Sequence, residues 1–543
     1  METVEYEGVV SNYDITKLPI SVTTTDVNLT GSWKFFKPVI NEKLSPCTFA
    51  CPSNINIAKY IMYLVKGELK TALDILRNEN PLPAVCGRVC PGFCQLECNR
   101  ANYDGAVAIR EIEKFLGDYG LNIPLKSPSK TSDKKVAIIG SGPAGLSAAY
   151  FIRSHGVKVK IFEKESQLGG LLRYGIPKYR LPEKIVEAEI NNIINMGIEV
   201  ETNSYIDNKR LTEIGDEFDA IFIATGLWEA VVPRDFTIDN KFIFKGIDFL
   251  KEINKGTISL SGKKVAIIGG GNVAVDVART LKRLGNDPEI IYRRTIDRMP
   301  AFEDEVKDAV EEGIEILEKK IIANYKVVNN SLEVTLSRVK NITNGKVELY
   351  HEEEVKNYDT IIFAIGQTAE NNFNIANNIF AGGDYAIGAS TVTESIASGK
   401  KEAFKILNFL KVCNTENINE NFFRNVKDYN NEEVVDFDKI NTFYFTKQQP
   451  IELEKLDIKE RLSSFNYIYK IHSLEDIVKE ASRCFNCGIC NKCGTCWFSC
   501  PDVSVEYDKN IEESIDFDYQ HCKGCGVCSS ECPRGVIDME EDK

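Results

Sequence analysis

The hydrophobic pattern changes character several times along the chain. The first 40 residues are polar and aperiodic, which predicts an extended lead-in over 1–40. From Ile55 to Asn78 apolar residues recur at helical spacing and predict one amphipathic helix. After the linker-like stretch SPSKTSDKK (127–135), two similar units appear: KKVAIIGSGPAG at 134–145 and KKVAIIGGGNVA at 263–274. Each reads as a short apolar strand, a glycine-rich turn and a helix start, the layout of a parallel α/β sheet. DAIFIATG (219–226) and DTIIFAIG (359–366) are apolar strands ending in glycine, and predict returns of the chain beneath two nucleotide domains. Residues 414–470 are rich in Asn, Asp and Glu with few apolar runs, and predict a loose connector wrapping the surface.

Composition narrows the class. A chain of 543 residues implies two to four domains. With 43% hydrophobic and 27% charged residues it has the balance of a soluble globular protein. Lys+Arg 66 against Asp+Glu 80 gives −14, which argues against a nucleic-acid-binding surface. No apolar run is long enough to predict a membrane span. The segment METVEYEGVV is acidic and has no basic stretch followed by an apolar one, so no secretory signal is expected. A cytoplasmic setting follows, where thiols stay reduced and metal ligation is the stronger reading of cysteine. Only 4 histidines leave little room for imidazole-rich metal catalysis, but 17 cysteines are far above ordinary usage. Six lie between Cys47 and Cys98 and ten between Cys484 and Cys532; Cys413 stands alone and reads as an ordinary thiol.

The glycine turns carry the first chemistry. In the first, Gly140 permits the tight turn, Gly142 lets the backbone approach a pyrophosphate, and Gly145 lets helix and strand pack closely. The helix N-terminus then presents unpaired N–H groups to the phosphates. Glu163, 23 residues after Gly140 near the end of the next strand, is placed to accept from ribose hydroxyls. The second turn has Gly269, Gly271 and Ala274, with Asn272 and Val273 opening the helix. There the acidic position is replaced by Arg293, 24 residues after Gly269, with Arg294 beside it. Two guanidinium groups suit a 2′-phosphate and favour NADPH over NADH; the alternative is a solvated basic turn.

At the other end, Cys490, Cys493, Cys496 and Cys500-Pro501 repeat as Cys522, Cys525, Cys528 and Cys532-Pro533. This is the bacterial two-cluster ferredoxin run, found twice. In that pattern the fourth cysteine serves the other cluster. One [4Fe-4S] cluster is therefore assigned to Cys490, Cys493, Cys496 and Cys532, the other to Cys522, Cys525, Cys528 and Cys500. The competing reading, a four-thiolate zinc ribbon, would not explain two matched runs of four.

The motifs NPLPAVCGRVCPGFC, GSGPAGLSAAY, GGLLRYGIPKYRLP, GGGNVAVDVAR, YRRTIDRMPA and AGGD together resemble the glutamate synthase small-subunit family and the N-terminal half of dihydropyrimidine dehydrogenase, over roughly residues 41–412. The resemblance implies an α/β architecture in nested parts. A helical iron–sulfur domain (41–130) precedes a FAD-binding domain (131–260 and 371–412) interrupted by an NAD(P)H-binding domain (261–370). A connector (413–483) and a ferredoxin-like α+β domain (484–543) follow. FAD would be held by Gly140, Gly142, Gly145 and Glu163, by Gly170 and Arg173 of GGLLRYGIPKYRLP, by Asp384 of AGGD, and by the helix starting near Thr391. Arg180 of YRLP is a flavin neighbour by resemblance, or a surface arginine. NADPH would take Gly269, Gly271, Asn272, Val273, Arg293 and Arg294.

The family carries two N-terminal clusters, one with a non-cysteine ligand. Carried over, Cys51, Cys90 and Cys94 hold that cluster with Glu113 as fourth ligand, and Cys47 with Cys98 belong to the other. The family's upstream R-C-x-x-C-G pair is absent before Cys47, yet Arg483-Cys484-Phe-Asn-Cys487-Gly488 resembles it. Either Cys484 and Cys487 fold back to complete the cluster, or that cluster is missing and both are structural. Cys86 is left without a role.

The expected activity is an NAD(P)H oxidoreductase that splits a hydride pair from NADPH into single electrons, passed through the clusters to a ferredoxin or a larger redox subunit, or the reverse. The connector is too short for the roughly 250-residue barrel that the larger family members use. The alternatives are the NADPH-oxidising small subunit of glutamate synthase and, from another class, a non-catalytic redox sensor or scaffold.

Overall fold

A computed structural model of the chain describes residues 29–128, 131–233, 236, 238, 242–257, 260–343, 346–412, 434–507 and 515–542. Most of the lead-in, Cys413 and residues up to 433 of the connector lie outside the described residues. Two compact units form: a larger one over Leu44–Phe437 and Phe445–Cys487, and a smaller one over Met1–Lys43, Asp438–Tyr444 and Gly488–Lys543.

The larger unit begins with short helices. The single helix expected over 55–78 is two, Ile57–Val65 and Leu69–Arg77. Gly67 breaks it with φ 81, a left-handed conformation that glycine adopts without steric cost. The turn lets both helices bury Tyr60, Ile61, Leu64, Ala72 and Leu76 in one core with Ile112 and Leu116 of the helix Ile109–Gly120. That helix also packs tightly on Pro83–Val89: a Cβ on Gly117 would stand 2.3 Å from the Ala84 nitrogen.

Two five-stranded parallel sheets follow. The first runs in the order Ile379–Ala381, Ala220–Ile223, Lys135–Ile139, Lys158–Phe162, Glu199–Glu201. The second runs Glu315–Glu318, Asp287–Tyr292, Lys264–Ile268, Thr360–Phe363, Ile243–Lys245. Both apolar returns, 219–226 and 359–366, are central strands beside the glycine-turn strands, because each is buried on both faces. The edge strand Ile243–Lys245 joins the second sheet, although it precedes the second glycine turn by about twenty residues. An antiparallel sheet of Lys320–Val328, Ser331–Thr343 and Lys346–Tyr358 is inserted in the second domain.

Residues 445–483 of the expected connector are not a loose surface wrap. Ile468, Arg461 and Arg483 are buried, and the Ile468 N–H donates to the Tyr179 carbonyl at 3.2 Å. The helix Leu474–Ser482, opened by a Ser473–Asp476 capping box, places Ile477 and Ala481 in the core of the first helices. Polar composition hid this because the segment is anchored by ion pairs: Arg461 meets Glu311 at 3.0 Å, and Arg483 meets Glu480 at 2.6 Å and Asp104 at 3.0 Å.

The smaller unit contains two matching half-motifs. Gly494 (φ 78) opens the turn of helix Thr495–Phe498, and Gly526 (φ 77) opens Val527–Ser530. Strands Val505–Tyr507 and Ile515–Phe517 pair antiparallel. Within the expected lead-in, Phe36–Ile40 is a strand, pairing antiparallel with Ile537–Glu541. Five residues are too few to show a periodicity against the polar sequence before them.

Candidate functional site

A cavity of about 890 Å³ opens between the two parallel sheets of the larger unit, and both glycine turns line it. Gly140 (φ 101) and Gly269 (φ 144) need the backbone freedom of glycine, and a Cβ on either would press on the Ala224 or Ala364 carbonyl. Gly145 does not face the cavity: its Cα lies against the Gly140 carbonyl, where a Cβ would come within 2.1 Å. Gly142 and Gly271 have only open space where a Cβ would stand. Each caps a helix, Pro143–Ser154 and Asn272–Arg283, with no side chain bonded to the first N–H groups. Two free helix N-termini with a bare backbone approach fit two pyrophosphates.

The remaining nucleotide residues are placed unevenly. Glu163 lines the cavity, but its carboxylate already accepts from the Ser141 N–H at 2.9 Å, the Ser141 hydroxyl and the Glu165 N–H. It holds the glycine turn in shape and keeps little acceptor capacity for a ribose. Gly170, with φ 53, lines the cavity against Gly142. Arg173 does not: its guanidinium turns to the Leu168 carbonyl at 2.9 Å and to Glu183 at 2.8 Å. Asp384 lines the cavity, accepts from the Ser395 hydroxyl at 2.9 Å and from Ser390, and burial pushes its pKa up. Thr391 caps the helix Val392–Phe409 through a capping box with Glu394.

Gly269, Gly271, Asn272, Val273, Arg293 and Arg294 all line the same cavity. The Asn272 side chain accepts from the Phe302 N–H at 3.0 Å, which pins the loop after Arg294. Neither Arg293 nor Arg294 forms an ion pair among the described residues, so both are available to an anion.

Arg180 is not a surface arginine. It lines the cavity, is 6% exposed, donates from Nη1 to both Asp276 carboxylate oxygens at 2.9 and 2.7 Å, and pairs through Nε with Glu305 at 2.8 Å. Asp276 and Glu305 lie in the second nucleotide domain, so Arg180 ties the two domains together. Sequence reading also missed Trp228, another cavity residue, flanked by the ammonium groups of Lys164 (5.0 Å) and Lys251 (5.3 Å). No motif marks it.

All sixteen described cysteines are free thiols. Among the described residues no group of three or more His, Cys, Asp or Glu closes on a single metal ion. The thiols gather in larger sets. Cys47, Cys98, Cys484 and Cys487 line one hollow of the larger unit, although nearly the whole chain separates the first from the last. Burial, then Cys98, Cys484 and Cys487, push the Cys47 thiol well above the ordinary range. N–H groups already point at this sulfur set: the Asn99 amide donates to Cys487 at 3.5 Å and the Asn486 N–H to Cys484 at 3.4 Å.

A second set is Cys51, Cys90, Cys94 and Glu113, with Cys86 beside it. Burial first, then Glu113 and Cys90, push Cys51 to about 12, and Cys94 rises by burial and by Cys51 and Cys90. Glu113 is 7% exposed, and burial raises it to about 7. One of its oxygens accepts from the Asn80 amide at 2.9 Å, and its charge raises the Cys51, Cys90 and Cys94 thiols. The donor set fits a cluster with three thiolates and one carboxylate.

In the smaller unit, Cys496 feels Cys493, Cys490 and Cys532, whereas Cys528 feels Cys522, Cys525 and Cys500. Cys500, Cys522, Cys525 and Cys528 line one hollow. The fourth cysteine of each run thus stands with the other run's first three.

Comparison with known proteins agrees in outline. Residues 134–383 match the pyridine nucleotide-disulphide oxidoreductase family, 40–123 the dihydropyrimidine dehydrogenase domain II with its 4Fe-4S cluster, and 515–538 the 4Fe-4S binding domain. The chain is 30% identical over 518 residues to the NADPH-Fe(3+) oxidoreductase subunit beta of Geobacter sulfurreducens, covering 82% of this chain and 76% of that one. It is 33% identical to the NADP(+)-dependent formate dehydrogenase subunit beta of Moorella thermoacetica, over 69% of this chain and 61% of that longer one. It is 30% identical to the glutamate synthase [NADPH] small chain of Escherichia coli, over 67% and 89% respectively.

Proposed function

The chain belongs to the family of NAD(P)H-dependent flavin and iron–sulfur oxidoreductase subunits that includes the glutamate synthase small chain, and we propose that it is the electron-input member of a larger redox assembly. FAD, when bound, would take one hydride, and so two electrons, from NADPH and release those electrons one at a time, as [4Fe-4S] clusters require. The chain's own residues do the positioning. The helix behind Gly142 and the Asp384–Thr391 segment would hold FAD; the helix behind Gly271 with Arg293 and Arg294 would hold NADPH. Cys51, Cys90, Cys94 and Glu113 would hold one cluster, and Cys47, Cys98, Cys484 and Cys487 another. The two runs of the smaller unit would hold the last two. The acceptor, in this reading, is a ferredoxin or a partner redox subunit, and the setting is cytoplasmic. No described helix is long and apolar enough to cross a membrane.

The observation that carries the proposal is that one cavity is lined by both glycine turns, and by Val89, the residue before Cys90. In this reading the hydride donor, the flavin and the first cluster ligand would be neighbours. Anaerobic NADPH is expected to bleach the flavin band of the loaded chain and then develop the electron paramagnetic resonance (EPR) signals of reduced clusters. A flavin-loaded chain that NADPH leaves oxidised overturns the reading.

A further inference from the structure

The hollow lined by Cys47, Cys98, Cys484 and Cys487 is also lined by Asn99 and Arg100, the two residues after Cys98. Asn99 is buried, and its side-chain nitrogen donates to the Val435 carbonyl at 2.8 Å and to the Cys487 sulfur at 3.5 Å. A carbonyl oxygen only accepts, so Val435 fixes which end of the carboxamide must face it. The second N–H is left for Cys487, which as a ligand thiolate can only accept.

Asn486, between the two fold-back cysteines, repeats the arrangement. It is buried, and its side-chain nitrogen donates to the Ala58 carbonyl at 2.9 Å and stands 3.7 Å from the Cys484 sulfur. Its backbone N–H reaches the same sulfur at 3.4 Å. The backbone there is left-handed, φ 50, a conformation in which asparagine is enriched over most side chains. The segment is held from outside as well: the Arg100 guanidinium donates to the Arg483 carbonyl at 2.6 Å. Each fold-back sulfur thus faces a carboxamide that a backbone carbonyl has already anchored.

We propose that Asn99 and Asn486 are positioning residues that hold Cys487 and Cys484 in place and raise the reduction potential of the cluster these cysteines complete. The inference rests on the cluster reading above. Hydrogen bonds to ligand sulfurs are one of the protein's means of setting a cluster's potential. An N–H aimed at a thiolate favours the state that carries more negative charge, and so moves the potential up. Both amides are anchored beforehand, so they need not reorient when charge arrives. Asn99 is the stronger of the two, because its N–H is nearer its sulfur.

The test is an EPR-monitored redox titration of the full chain, with this cluster's signal identified by its loss in the Cys484→Ser, Cys487→Ser variant. Asn99→Leu nearly keeps the side-chain volume and removes the donor. Its midpoint is expected to move to more negative potential, with the reduced-to-oxidised ratio at the wild-type midpoint roughly fivefold lower. Asn486→Gly tolerates the left-handed backbone and keeps the backbone N–H on Cys484, so its shift should be smaller and of the same sign. Iron content and the midpoints of the smaller unit's clusters should not change. A full-iron Asn99→Leu chain with an unmoved midpoint overturns the inference alone, as does an equal shift of every cluster. If Asn99→Leu is short of iron, wild type grown with heavy nitrogen in the asparagine side chain decides. A nitrogen hyperfine coupling on this signal is expected, and its absence overturns the inference. A wild-type chain without the signal overturns the cluster reading and the inference together.

Discussion

In the proposed reading the chain meets one chemical problem, holding cubane clusters on thiolates, in two ways. In the smaller unit the proposed ligands are local: two runs of four cysteines within 43 residues, each turned by a glycine at φ 78 or 77. In the larger unit the proposed ligands come from three distant stretches, 47–51, 90–98 and 484–487, with Glu113 from a fourth. Exposure differs accordingly. Cys493 and Cys525 of the smaller unit are exposed, whereas every described cysteine of the larger unit is buried or half-buried. Local spacing writes a site at the surface of a small fold. Long-range assembly writes one inside a core, where tertiary structure and site depend on each other.

That dependence gives the largest expected effect. Cys484→Ser with Cys487→Ser removes two of the four proposed ligands, so about 4 iron atoms per chain should be lost and the melting temperature of the larger unit should fall by several degrees. Cys525→Ser should lose a similar amount of iron while the larger unit melts as before. Iron analysis with calorimetry separates the two, and equal melting losses would break the contrast. Ferricyanide or a chelator sharpens it: the exposed clusters should bleach on the order of tenfold faster than the buried ones, read as two phases of visible absorbance.

Acid sensitivity is also concentrated in the larger unit. Glu312 is buried, accepts from Arg283 at 2.7 and 2.9 Å and from Arg279 at 2.8 Å, and is held down to about 2. Its folded pKa lies below the unfolded value of 4.5, so its contribution is complete above pH 4.5 and is lost as pH falls toward 2. Glu312→Gln should lower stability at pH 7 by on the order of 3 kcal/mol and flatten the decline between pH 4.5 and 2 in denaturant titrations. The smallest effect is on the nucleotide. Arg293→Glu should raise the KM for NADPH by about tenfold while changing that for NADH much less; equal changes for both would remove the 2′-phosphate role.

What could be read in the sequence follows the same divide. The glycine turns and the two ferredoxin runs are local codes, and the structure places their residues together. Arg173 shows the limit of carrying a motif over: its neighbours Gly170 and Arg180 reach the cavity, while its own side chain is taken by Glu183. Arg180 was legible as a residue but not as a bridge, because Asp276 and Glu305 lie about a hundred residues away. The helix break at Gly67 was missed because one glycine scarcely disturbs a helical apolar period over 24 residues. Cys484 and Cys487 could be suspected only from the resemblance of their flanks, since no spacing rule connects residues 47 and 487.

The central claim is that Cys47, Cys98, Cys484 and Cys487 together hold a cluster, and iron per chain tests it most directly. Anaerobically prepared wild type is predicted to contain about 16 iron atoms per chain, falling to about 12 in the Cys484→Ser, Cys487→Ser variant. About 12 in the wild type, unchanged in the variant, would contradict it.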